Sequence, residues 1–195
     1  MGENRYLSSW VTPDNLEIQE YYKRLTKGLQ TDKEKIVAVW KYVKDIPYTS
    51  YIKTKTIVGG RVFTQGDTWL EPAQCLYAPK LNCMNKSILL ASLLRQELSE
   101  NHVSVCLNNV SVDGIDGHAV VYLRMGNDYL LETTNPGIKS PFLKACDMDI
   151  YEGVIWFNDK SISYVPDVQL REPMGTCCVK WLESYVNGKL CTEYI

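Results

Sequence analysis

The sequence predicts an α+β domain, with helices early in the chain and an antiparallel sheet after them. One change in hydrophobic period carries this reading. Apolar residues recur at helical spacing up to about residue 98, and from Val103 onward they alternate with polar ones. No internal repeat, low-complexity tract or linker interrupts the 195 residues, which read as one domain, residues 1–195, long enough to bury a core.

The elements follow in order. Residues 13–29 open on Pro13 and read as an amphipathic helix carrying Leu16, Tyr21, Tyr22, Leu25 and Leu29. Thr31-Asp32-Lys33-Glu34 is a capping box, and Ile36, Val37, Val39, Trp40 and Val43 continue a second helix. It is expected to stop near Asp45, because Pro47 biases the residue before it to extended backbone. Gly59-Gly60, Gly66-Asp67, Pro72 and Pro79 break residues 48–80 into short strands or turns. A third helix follows Cys83 and runs to Leu98. It is apolar nearly all round (Ile88, Leu89, Leu90, Ala91, Leu93, Leu94), as a helix in the middle of a domain must be. Val103, Val105 and Leu107 then alternate with Ser104, Cys106 and Asn108 in a strand, a second run spans Ala119 to Leu123, and Gly126-Asn127 turns the chain into a third, Tyr129 to Thr133. Further strands are expected at 153–157 and 161–169, and a short helix at 176–186.

Composition narrows the function classes. Hydrophobic residues make up 45% and charged ones 23%, and the formal net charge of -2 gives no electrostatic case for nucleic acid or an anionic membrane. No run approaches the roughly 18 apolar residues of a membrane span. The first residues, Met1 to Arg5, lack the basic and apolar regions of a signal peptide, and Tyr6 stands where a myristoylation signal needs Ser or Thr. Seven cysteines, an odd number, then suggest reduced thiols and a cytoplasmic location. Cys177-Cys178 reads as a redox device or as two buried small residues. No C-x-x-C or H-x-x-x-H pair occurs, so no metal and no cofactor is expected.

The chemistry centres on Cys83. A thiol at a helix N-terminus meets unpaired backbone N–H groups and the positive end of the helix dipole, which favour its thiolate. His118, directly after Gly117, opens an apolar strand downstream and is the candidate base. Of the chain's 2 histidines, the other, His102, lies in the polar stretch Ser99-Glu100-Asn101 and reads as a solvated turn. Glu132 is the candidate orienting acid, with one geometric condition. If Gly126 and Asn127 form a two-residue loop, His118 faces Asn135 and the Glu132 side chain points to the opposite face. An odd-length loop or a β-bulge restores Glu132, and otherwise Asn135 is the alternative orienter. Trp69 and Gln74 are candidate oxyanion or cleft residues, although Trp69 also reads as a core or cleft-wall aromatic. The 13 tyrosines, including Tyr48, Tyr51, Tyr77, Tyr122 and Tyr129, either line a peptide groove or are scattered and half-buried.

These pieces, in this order, resemble the transglutaminase-like branch of the papain-like cysteine enzymes, in the form of the bacterial transglutaminase-like cysteine proteinases. The resemblance covers roughly residues 31–136, leaving 137–195 as a C-terminal extension. Asp32 to Tyr48 is similar to the family's helix ending in an aromatic after a short extended stretch. Asp67 to Leu76, with Trp69 and Pro72, resembles the approach to the nucleophile. Cys83 matches the nucleophile, Gly117-His118-Ala119 the base, and Leu131 to Pro136 the acid segment. The resemblance implies a papain-like core, with a central buried helix on an antiparallel sheet and a Cys-His-Glu triad that forms a thioester with a protein or peptide substrate. Water resolving that thioester makes a hydrolase of peptide or isopeptide amides. An amine makes an acyl transferase that cross-links glutamine side chains. Loss of the chemistry leaves a binding or assembly module. Three departures stand out: Leu81 and Asn82 occupy positions where the family usually has a glycine, the acid is glutamate, and Asn82, Met84 and Asn85 stand where bacterial members often carry calcium-binding acids. No calcium is expected here.

Overall fold

A computed structural model describes residues 7–50, 53–58, 61–66, 69–110, 117–147 and 151–165. The first helix, α1 (Leu16–Leu25), is shorter than its periodicity suggests. Asn15 caps it, its Oδ1 accepting from the backbone N–H groups of Glu17 (2.9 Å) and Ile18 (3.3 Å), so Pro13 lies outside. The second, α2 (Asp32–Asp45), carries the expected capping box: Glu34 N–H donates to Thr31 Oγ1, and Thr31 N–H to Glu34 Oε2. It ends where Ile46, ahead of Pro47, turns extended.

The stretch expected to be short strands or turns holds an antiparallel hairpin, β1 (Lys53–Val58) with β2 (Arg61–Gly66), and one turn of helix, α3 (Pro72–Cys75). Next comes α4 (Cys83–Leu94), and all 12 of its residues are buried. It ends four residues before the expected Leu98, capped at Arg95.

Six strands of the described chain make one antiparallel sheet in the order β6-β5-β4-β3-β7-β8. They are β3 (Val103–Val110), β4 (His118–Met125), β5 (Asn127–Leu131), β6 (Leu143–Lys144), β7 (Tyr151–Phe157) and β8 (Ile162–Tyr164). The first four form a meander, and the chain then returns to the other side of β3. With the helices packed on this sheet, the α+β layout of the sequence is the fold observed. The strand expected at 161–169 is seen at Ile162–Tyr164, residues 166–169 lie outside the described residues, and so does the helix expected at 176–186.

Strand alternation places α4. Val103, Val105 and Leu107 stand opposite Leu123, Val121 and Ala119, all buried, whereas Ser104 and Tyr122 are half-buried and Arg124 is exposed. Cys106, Asn108, His118 and Val120 are buried as well, and of the sheet's strands helix α4 packs chiefly against β4 and then β3. Its C-terminal end is pinned where β3 begins. Arg95 Nε donates to Asp159 Oδ1 at 2.7 Å, and Asn158 Nδ2 to the carbonyls of Glu100 (2.8 Å) and Val103 (3.2 Å). A 12-residue helix is about 18 Å long, and β3 from Val103 to Asn108 covers about 17 Å. The N-terminus of α4 therefore stands over the other end of the sheet, where β3 closes and β4 opens at His118. Among the described residues no helix is long and apolar enough to cross a membrane.

Leu89, fully buried at the centre of α4, supplies a test of this core. Leu89→Ala is expected to destabilise the fold by about 2–5 kcal/mol, read as a lowered urea midpoint at unchanged slope.

Candidate active site

The start of α4 is fixed from both sides. Leu81 N–H donates to the Pro47 carbonyl (2.9 Å) and Thr49 N–H to the Leu81 carbonyl (3.0 Å), so the residues entering the helix form a parallel bridge with the segment leaving α2. Asn82 is the N-cap. Its Oδ1 accepts from the Asn85 backbone N–H and from Asn85 Nδ2, both at 2.9 Å. Asn85 Oδ1 in turn accepts from Leu70 N–H at 2.7 Å, tying the approach segment to the first turn. Cys83, the first helical residue, is buried at the positive end of the helix.

The β4–β5 connection decides the acid. Met125 pairs with Asn127 and Arg124 with Asp128, so Gly126 alone makes the turn, at φ 72°. A one-residue turn needs this left-handed backbone, and glycine takes it without strain. The loop is odd. Continuing its register one step past Val121–Leu131 sets Glu132 opposite Val120, two residues along β4 from His118 and on the same face. His118 Nε2 meets Glu132 Oε2 at 2.8 Å, with both side chains buried. The geometric condition on Glu132 is thus met by the turn, and Asn135 takes another place: its Oδ1 accepts from Gly137 N–H at 2.8 Å, and its Nδ2 is buried with no hydrogen-bond partner.

Every oxygen of the Glu132 carboxylate is engaged. Oε2 also accepts from the Tyr151 hydroxyl at 2.8 Å, and the Tyr151 ring lies 5.9 Å from the imidazole centroid. Oε1 accepts from Thr134 N–H (2.5 Å), Thr134 Oγ1 (2.7 Å) and Asn135 N–H (3.3 Å). Burial pushes this carboxyl up, but the charge and hydrogen bond of His118, with the Thr134 donors, outweigh it and hold the group at about 2. The carbonyls of the same segment point to the helices. Trp40 Nε1 donates to Glu132 O (2.8 Å), Lys86 Nζ to Thr133 O (3.2 Å) and Lys44 Nζ to Asn135 O (2.5 Å).

Cys83 and His118 stand at one end of the sheet, and a line of contacts links their surroundings. Lys86 lies one turn along α4 from Cys83 and bonds to Thr133, next to the Glu132 that holds His118. The other candidates have the following neighbours. Trp69 packs edge-on against Trp10, with centroids 5.5 Å apart, as a half-buried wall aromatic. Gln74 is exposed, and its Oε1 accepts from Glu71 N–H, capping α3. Tyr48, Tyr122 and Tyr129 are half-buried and Tyr77 is exposed, and Tyr51 lies outside the described residues. His102 sits in the expected turn, bonded to Ser99 Oγ. Cys75, Cys106 and Cys146 are free thiols, and Cys177, Cys178 and Cys191 lie outside the described residues. Sequence reasoning missed Tyr151, Lys86 and Lys44. A lysine inside the apolar run of α4 was the one visible signal.

The fold is that of LapG from Legionella pneumophila. One LapG structure aligns with a TM-score of 0.54 at 14% identity, covering 98% of this chain and 93% of that one. EGTA-treated LapG aligns at 0.51 and 13%, covering 87% and 96%, and calcium-bound LapG at 0.51 and 13%, covering 86% and 98%. No protein-family profile and no curated protein matches the sequence. Calcium prefers several carboxylate and carbonyl oxygens. The residues beside Cys83 do not fit it: Asn82, Met84 and Asn85 bring no carboxylate, and both amide oxygens already accept hydrogen bonds. Among the described residues no group of three His, Cys, Asp or Glu side chains is placed to hold a metal.

Because Glu132 titrates below its ordinary 4.5, its contribution to stability is complete above that value and is lost as pH falls towards about 2. The shift is on the order of 3 kcal/mol. Urea unfolding from pH 6 to pH 2 should show this acid limb, and Glu132→Gln should flatten it.

Proposed function

We propose that the protein is a transglutaminase-like cysteine hydrolase that cleaves a peptide or isopeptide-type amide through a thioester. The buried His118–Glu132 pair, at the sheet end where Cys83 opens α4, carries this reading. The LapG-like fold and the order of the sequence motifs support it. Glu132 engages Nε2, so Nδ1 is the nitrogen that takes the Cys83 proton. The sulfur attacks the carbonyl carbon, forming the C–S bond as the π electrons move to oxygen. The resulting oxyanion lies at the helix N-terminus, where the Cys83 backbone N–H is a donor. When the tetrahedral species collapses, the C–N bond breaks, and the imidazolium gives its proton to the departing amine. Water then attacks the thioester while His118 takes its proton, releasing the acid and restoring the thiol. Glu132 stays ionised throughout. It fixes the tautomer of the ring and stabilises its cationic form.

The other buried thiols provide an internal control. Burial raises Cys75 far above the ordinary thiol range and pushes Cys106 up to about 12. Iodoacetamide at pH 6–7 should therefore modify Cys83 ahead of Cys75 and Cys106, and His118→Ala should slow that reaction roughly a hundredfold or more. Cys83→Ala should keep the fold and abolish thioester trapping with a peptide amide. Equal alkylation of Cys83 and Cys106, or trapping that survives in Cys83→Ala, would refute the assignment.

A further inference from the structure

The strongest unexplained feature outside the triad is a lysine in the core. Lys86 is among the largest fully buried side chains, on a helix whose other neighbours are apolar or small. Its ammonium donates to the Lys44 carbonyl at 2.9 Å and to the Thr133 carbonyl at 3.2 Å. The Lys44 side chain, half-buried against the Trp40 ring, donates to Asn135 O. Two lysines from two helices thus grip alternate carbonyls of the four-residue segment 132–135.

Burying an ammonium is costly, and the charges around this one show what offsets it. Desolvation lowers Lys86 to about 8, with Lys44 acting in the same direction, while Glu132 and Asp45 act against it. At neutral pH the group remains a cation facing the segment that carries the acid. An apolar residue here would pack without that cost, so packing alone does not account for a lysine.

We infer that Lys86, seconded by Lys44, is a positioning residue: it clamps the backbone of segment 132–135 so that Glu132 holds the His118 ring in place. Lys86 acts through the Thr133 carbonyl it bonds, next in the chain to Glu132. The geometry gives the clamp its reference point. Cys83 and Lys86 are one turn apart on α4, so the helix that presents the thiol also sets the height of the acid loop. The clamp's catalytic value rests on the hydrolase reading, but its effect on His118 does not.

The test uses the full chain and two signals. The first is the downfield proton resonance of the His118 ring N–H bonded to Glu132, which is assignable because the chain has 2 histidines and His102 lies in an exposed turn. The second is the rate of Cys83 alkylation against pH. Lys86→Met keeps the length and the apolar stem but removes the donor. In a variant that still unfolds cooperatively, the resonance should broaden away or move upfield, and alkylation at pH 6.5 should fall by up to about a hundredfold. A folded Lys86→Met chain with both signals unchanged overturns the clamp and leaves the nucleophile standing. If Cys83 of the unaltered chain is not preferentially alkylated, the hydrolase reading fails, and the resonance alone decides the clamp. Should Lys86→Met not fold, Lys44→Met decides: a weakened resonance supports the clamp, and an unchanged one overturns it.

Discussion

A carboxylate with no access to water must be satisfied atom by atom, and much of this structure follows from doing so for Glu132. Two hydrogen-bonded groups meet one oxygen and three the other, drawn from β4, β7 and the chain just after β5. A lone ionised acid in such a site would bind a proton rather than stay charged. The imidazole, the tyrosine hydroxyl and the backbone N–H groups reverse that preference. To deliver Thr134 and Asn135 N–H to its own side chain, the backbone must curl around the carboxylate, and β5 accordingly stops at Leu131.

The curl has a second consequence. Once the N–H groups of residues 134 and 135 turn inward to the acid, the carbonyls of 132, 133 and 135 turn outward into the helical layer, where no strand can pair with them. Buried carbonyls need donors. The helices supply three, the Trp40 indole and the Lys44 and Lys86 ammonium groups. Two otherwise odd choices, a tryptophan turned towards a loop and a lysine in the centre of the core, are answers to one demand. The same contacts join α2 and α4 to the sheet through polar bonds of defined direction, where apolar packing alone would permit sliding.

How far the sequence revealed this depended on whether a signal was local. The capping box of α2 and the apolar run of α4 are interactions within a few residues, and both helices start where those signals place them. The strands of the meander were legible because alternation reflects burial of one face. The side on which Glu132 lies was not legible from alternation, since it turned on whether one residue or two form the turn. Gly126 settles it by adopting a backbone that places Met125 opposite Asn127. Gln74 lies in the approach segment, and what its sequence neighbours did not show is that its Oε1 caps α3 by accepting from Glu71 N–H. Tyr151 left no sequence signal. It reaches Glu132 from β7, which returns to the far side of β3, and that crossover is a tertiary fact invisible to any window of the chain.

The turn that carries Cys83 obeys the same logic with the opposite choice of chemistry. Its neighbours Asn82 and Asn85 are amides, and they lock to each other and to Leu70 through neutral hydrogen bonds. Carboxylates at these positions would accept the same backbone N–H groups, but each would place a negative charge within a few ångströms of the thiol. At an effective dielectric of about 20, such a charge at 4 Å opposes a second negative charge by about 4 kcal/mol. Amides fix the geometry without that repulsion and need no cation to cancel it. Among the side chains that bond to His118 and to the first turn of α4, the negative charge is thereby confined to Glu132, which stabilises the protonated ring. Neutral side chains around the helix start add no second charge to that balance.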